Sequence, residues 1–189
     1  MNRVASHVLP SLLLLGALTA CDAAAQSQST PTTAVPTTTA SPTTTTVAKP
    51  TGPPAVPEPT VDGACPYLDT KFVQEANGQL VRKVRLSADQ PHPACFFYAN
   101  ATDVQLSVWV YQGEVKIAKA IVDRAAPIAD SSPATVPEGW SGGSVSNADG
   151  AVYAVAKLGN AVVVTSNQQQ SIKARRIAET VVGNLQLGY

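Results

Sequence analysis

The chain has 189 residues, of which only 14% are charged, with 13 Lys plus Arg balanced by 13 Asp plus Glu. That balance leaves no strong field to attract nucleic acid or an acidic surface, so functions that rest on long-range electrostatics are excluded. Three cysteines and two histidines bound the metal and nucleophile chemistry open to it.

Residues 1–20 have the parts of a secretory signal: Arg3, an apolar core from Val8 to Leu18 centred on Leu12 to Leu15, then small residues. The apolar run is shorter than the roughly 20 residues needed to span a bilayer. It closes on Leu18-Thr19-Ala20-Cys21, which looks like the lipobox of bacterial lipoproteins. The resemblance implies cleavage before Cys21 and acylation of that cysteine, placing the protein outside the cytoplasmic membrane and anchored to it by acyl chains. At about 0.8 kcal/mol per buried CH₂, two or three chains hold durably. The alternative is an ordinary cleaved signal with Cys21 incidental. Either cut removes His7 and leaves His92 as the one histidine.

Residues 21–62 form the expected tether. Thr, Pro, Ala and Ser dominate it, with runs such as Thr43 to Thr46 and almost no large apolar side chain. Such a segment cannot bury enough surface to offset its ordering entropy and is expected to be disordered. Its composition is also that of O-glycosylated stalks.

Residues 63–189 are expected to fold as one domain. Leu68, Phe72 and Val73 recur at helical spacing and Asn77-Gly78 is a stop signal, predicting a short helix over 70–77. Residues 80–86 read as a strand, and Pro91 and Pro93 make 89–93 a turn. Residues 94–100 and 104–111 are rich in aromatic and β-branched residues and read as a hairpin. Ala118, Ile121, Val122 and Ala125 mark a helix over 114–126 that Pro127 ends. Residues 127–143, with three prolines and three glycines, read as a long loop.

Strands are expected near 143–146, 152–157 and 161–166, separated by turns at 147–150 and 158–160. The unbroken run Ala161 to Val164 predicts a central strand covered on both faces. The stripe Ala174, Ile177, Ala178, Val181, Val182 and Leu185 predicts a closing helix over 171–185. The order αββαβββα predicts an α+β fold, an antiparallel sheet of about five to six strands with about two to three packed helices.

With Cys21 assigned to lipid, Cys65 and Cys95 remain and are expected to form a disulfide, since an exported chain meets oxidising conditions. The competing reading, a metal pair with His92, gives a poor zinc set. No metal or other cofactor is expected.

Cys65-Pro66-Tyr67-Leu68 opening a domain, Cys95-Phe96-Phe97-Tyr98 in a strand, the lipobox, the Thr/Pro stalk and the closing helix together resemble conserved actinobacterial lipoproteins, most closely the mycobacterial LppH-like group. That group is a domain of unknown function, so the resemblance implies an envelope location and no activity. Sensor domains of mycobacterial receptor kinases share the plan of a sheet and helices forming a cleft, which implies binding.

Nucleophilic catalysis needs a base, and His92 sits between two prolines beside the expected disulfide. No Gly-x-Ser-x-Gly elbow or phosphate-binding glycine pattern occurs. Paired carboxylates could cleave a glycosidic bond without histidine, but Asp123, Asp130, Glu138 and Asp149 are scattered along the chain. The expected function is therefore non-enzymatic: a monomer that binds a partner protein or an envelope lipid or glycan, with no nucleic acid. A carboxylate-dependent hydrolase and a structural accessory subunit are the alternatives. Trp140 in the long loop, with Tyr67 and Tyr111, is the candidate binding rim, against the reading in which these rings pack the core.

Overall fold

The computed structural model describes residues 52–187. The signal segment, the lipidation site Cys21 and the tether through residue 51 lie outside the described residues. The described elements are β1 (Val61–Asp62), α1 (Thr70–Asn77), β2 (Lys83–Leu86), β3 (Cys95–Tyr98), β4 (Val104–Gln112), α2 (Val115–Ala125), β5 (Ser132–Val136), β6 (Trp140–Asn147), β7 (Gly150–Lys157), β8 (Asn160–Ser166) and α3 (Ser171–Asn184).

The helices form for local reasons. In α1 the Asp69 carboxylate accepts from the Phe72 N–H at 3.0 Å, and Gly78 closes the last turn in the left-handed region with φ 76°. Helix α2 buries Ile117, Ala118, Ile121 and Val122, the i, i+1, i+4, i+5 set of one face, and stops before Pro127. Helix α3 buries Ala174, Ile177, Ala178, Val181 and Val182.

All strand neighbours pair antiparallel in a sheet of order β1-β2-β3-β4-β8-β7-β6-β5. Strand β8 lies at the centre, as its apolar run predicts. Val162 and Val164 face the core beneath α3, and Ala161 and Val163 face α2. The α+β class is as expected, but the sheet has eight strands.

Two strands account for the difference. The expected loop 127–143 instead contains β5 and the start of β6, joined by a turn in which Glu138 and Gly139 take φ 68° and 87°. Strand β1 extends the opposite edge, pairing Val61 with Leu86 and Asp62 with Arg85. The domain thus begins before residue 63. Residues 53–59 run as a strap on the α2 face, where the Pro54 carbonyl accepts from Arg124 Nη1 at 2.8 Å. Composition assigned this strap to the tether because tertiary contacts, which composition does not report, hold it.

The disulfide joins Cys65 to Cys95, tying the lead-in to α1 onto β3. Beside it, the buried Tyr67 hydroxyl donates to the Pro93 carbonyl at 2.9 Å. At the far end of α1 a polar knot replaces apolar packing. The Asn77 amide donates to Gln105 Oε1 at 3.0 Å, Ser166 Oγ donates to Asn77 Oδ1 at 2.7 Å, and Gln105 Nε2 donates to the Leu80 carbonyl at 2.8 Å. Lys173 Nζ, from the first turn of α3, donates to the Asn77 carbonyl at 3.0 Å. Each of the three buried side chains is engaged, which is the condition for polar groups to sit in a core without a desolvation penalty.

Burial pushes the Tyr67 phenol well above its ordinary value. The phenol stays neutral in the fold but ionises near pH 10 once unfolded. Its contribution is complete below about pH 10 and is lost as pH rises beyond it. Urea midpoints are expected to fall between pH 9 and pH 11, and Tyr67→Phe to flatten that fall.

Candidate binding site

The structure separates the three rim candidates. Trp140 is 1% exposed and packs in the main core with Ala134, Val136 and Tyr153, so it forms no rim. Tyr67 is likewise buried. Both correct the expectation for one reason: each ring lies on the α3 face of the sheet, where coverage is most complete. Tyr111 is half-buried and lies on the other face, where it lines a cleft with His92 and Trp109.

The acids named for hydrolysis stand on four segments: α2, the α2–β5 connection, the β5–β6 turn and the β6–β7 turn. Asp123 is bound by Lys119 at 2.8 Å across one turn of α2, and Asp130 and Asp149 are exposed. Glu138 shares a recess with Glu179, but that carboxylate accepts from Arg175 Nε at 2.8 Å. His92 lies edge-on to Tyr67, ring centres 6.3 Å apart. Among the described residues no group of three His, Cys, Asp or Glu is placed to hold a metal, and no helix is long and apolar enough to cross a membrane.

What the structure does assemble is a groove on the α2 face. Helix α2 covers β7 and β8 and stops short of the β5–β6 hairpin, leaving a step of about 380 Å³, within the range of roughly 300–1,000 Å³ typical of binding pockets. Val115, Lys119 and Val122, at i, i+4 and i+7, form one flank. The floor is made of small residues, Gly142, Gly143 and Ala156. A Cβ on Gly142 would overlap the Ala154 carbonyl, and one on Gly143 would come within 2.9 Å of Ala126 Cβ. Larger side chains here would fill the groove or break the sheet.

The rim of this groove is aliphatic and exposed: Val115 at 62%, Leu158 at 66% and Ile128 at 80%. Leu158 is the unusual one. It occupies the first position of the two-residue β7–β8 turn with φ 53°, a backbone conformation that glycine or asparagine takes readily and leucine takes at about 1 kcal/mol or more. A strained leucine that buries little of itself gains nothing for the fold. Sequence reasoning missed it because Leu158-Gly159-Asn160 reads as a turn, where an aliphatic residue draws no notice. The out-of-place leucine in that turn was the available signal.

A family model described as a domain of unknown function, DUF2020, matches residues 50–187. No curated protein matches the chain.

Proposed function

The chain belongs to the DUF2020 family of domains, and on that footing we propose that it is a lipoprotein of the cell envelope that binds a partner protein through the α2–β6 groove and carries out no catalysis. Anchoring rests on the Leu18 to Cys21 run and the Thr/Pro-rich segment after it. The finer likeness to actinobacterial, LppH-like lipoproteins rests on those features with the Cys65 and Cys95 segments.

The observation that carries the binding reading is Leu158, exposed and held at positive φ on the groove rim. Strain without burial is intelligible when the side chain is buried by another molecule. The groove favours a protein over a lipid chain. It is open to solvent, and Lys119, Asp123, Ser131 and Ser141 stand among its apolar residues, the mixture of polar and apolar surface that protein interfaces present. A lipid chain calls for a site that encloses most of its surface.

The test pairs binding with stability. A photo-crosslinking residue at position 128 in the native envelope is expected to trap one discrete protein. Leu158→Asn, which suits the turn, is expected to keep or raise the unfolding midpoint while reducing that crosslink about tenfold, the loss expected of an aliphatic anchor that the partner buries. Undiminished crosslinking in Leu158→Asn, or a lipid adduct in place of a protein, overturns the reading. Cys21→Ser is expected to move the protein out of the membrane fraction, and retention there would overturn the anchor.

A further inference from the structure

The first residues of the domain are gripped unevenly. The strap holds Pro53, Pro54, Pro57 and Pro59, which have no N–H to give. Among the described residues the first backbone hydrogen bond after Gly52 runs from the Thr60 N–H to the Leu86 carbonyl at 2.8 Å. Ahead of that point the strap is clasped by Arg124, whose guanidinium donates to the Pro54 carbonyl at 2.8 Å and stands 5.5 Å from the centre of the Trp109 ring. Val56 and Pro57 share a small recess with Phe96, Trp109 and Val163, yet Val56 remains 65% exposed.

Strand β1 is held scarcely better. Its two residues are exposed, and its flanks are fastened by the Thr60 bond, by the Gly63 N–H to the Val84 carbonyl at 3.2 Å, and by Arg85 Nη2 to the Thr60 carbonyl at 3.1 Å. At Cys65 the hold changes in kind. A covalent bond joins it to Cys95 in β3, a strand paired on both sides.

We propose that residues 53–64 are a cover that tension in the preceding chain lifts, and that the Cys65–Cys95 bond is the stop that keeps the rest of the domain folded beneath it. The source of tension, a chain held at its far end, rests on the anchoring reading of the preceding section; the device itself does not.

A pull at residue 52 reaches these bonds in order. It meets one exposed charge-assisted hydrogen bond, then a two-residue ladder. Few hydrogen bonds and little buried area are the marks of a segment that opens locally while the fold persists. Beyond Cys65 the pull passes through the disulfide into β3, and residues 66–94, closed in the loop, cannot be drawn out by it. The twelve residues 53–64, at roughly 3.3–3.6 Å each, limit the travel to about 40 Å.

Lifting the cover changes the surface. Phe96 and Trp109, half-buried beside it, become more exposed. The Val84 and Leu86 carbonyls lose their donors, so β2 becomes the edge of the sheet. A pull is thereby converted into newly exposed apolar and hydrogen-bonding surface.

The experiment stretches the full chain, disulfide intact, between handles at residues 22 and 189 in optical tweezers, so that the handles replace any membrane. A first reversible extension of at most about 40 Å is expected well below the load that unfolds the domain. Arg124→Ala, a change at an exposed helix position, is expected to lower the load of that first step and leave the unfolding load unmoved. Hydrogen exchange at rest supplies a second readout. The Thr60 and Gly63 amides are expected to exchange faster than those of Arg82 and Ser87, which bond to Tyr98 and Ala94 on the other side of β2. In Arg124→Ala the first pair should quicken several-fold further, the scale of one exposed charge-assisted hydrogen bond, while the second pair keeps its protection. A single all-or-none unfolding step overturns the proposal. So does a first step that Arg124→Ala leaves unmoved, a first extension longer than the cover can supply, or equal exchange in the two pairs of amides. Cys21→Ser, which tests the anchor, is expected to alter none of these readings.

Discussion

Trp140→Ala is expected to destabilise the domain by about 3–5 kcal/mol, read as a lowered urea midpoint by circular dichroism. The side chain is the largest fully buried one and sits where the β5–β6 hairpin meets the core beneath α3. Strands β5 and β6 are otherwise poor in large apolar residues, offering only Val136, Ala134 and Val145. Losing the indole therefore removes the main apolar anchor of the hairpin and leaves a cavity. Trp140 also has an indole N–H with no hydrogen-bond partner among the described residues, and such an orphan costs about 1–3 kcal/mol. Trp140→Phe discards the orphan and keeps most of the apolar contact, so its loss is expected to be far smaller than that of Trp140→Ala. Equal losses in the two variants would show that the indole nitrogen is satisfied after all.

The second large effect belongs to the disulfide. Replacing Cys65 and Cys95 together with serine is expected to cost roughly 3–4 kcal/mol, the chain-entropy value for a loop closed over 30 residues. The double variant is the cleaner experiment because a single change leaves an unpaired thiol in the core, where Cys95 is fully buried. Wild-type protein under reductant should match the double serine variant in thermal midpoint. A midpoint unmoved by either treatment would mean that the rest of the fold holds α1 in place, with the Asn77, Gln105 and Ser166 knot the candidate for that role.

These two residues also show what could be read in advance. The cysteines announced their pairing because few other uses for them existed, and the three helices announced themselves by apolar periodicity and, for α1 and α2, by a stop signal, α1 with the bounds expected of it. Strand β8 was legible because four consecutive apolar residues suit a position covered from both sides. Of the β5–β6 hairpin only the later part of β6, near 143–146, was legible. Ser132-Pro133-Ala134 and Ser141-Gly142-Gly143-Ser144 have low strand propensity. They are extended because β7 pairs with β6 and because Trp140 and Val136 find a core to enter. Tertiary structure imposes that conformation, so no local pattern records it.

The candidate site divided the same way. Aromatic residues read as a rim because rings suit binding, yet two of the three serve the core. Burial is a property of which face a residue falls on, and Trp140 falls in the first residues of β6, which read as loop. Among the described residues no element covers this step beside α2, and a single sequence shows what is present more readily than what is uncovered.

Strand β5 ends the sheet, and its two outward positions are both closed. The Tyr153 hydroxyl donates to the Thr135 carbonyl at 2.7 Å and accepts from the Thr135 N–H at 3.0 Å. Pro133, two residues earlier and so on the same side of the ladder, has no N–H to offer. A neighbouring molecule that approached this edge would find no free donor at either position, and so no template on which to add a strand. At this edge, one tyrosine hydroxyl and one proline stand between a sheet that ends in β5 and a ribbon that runs on into a second molecule.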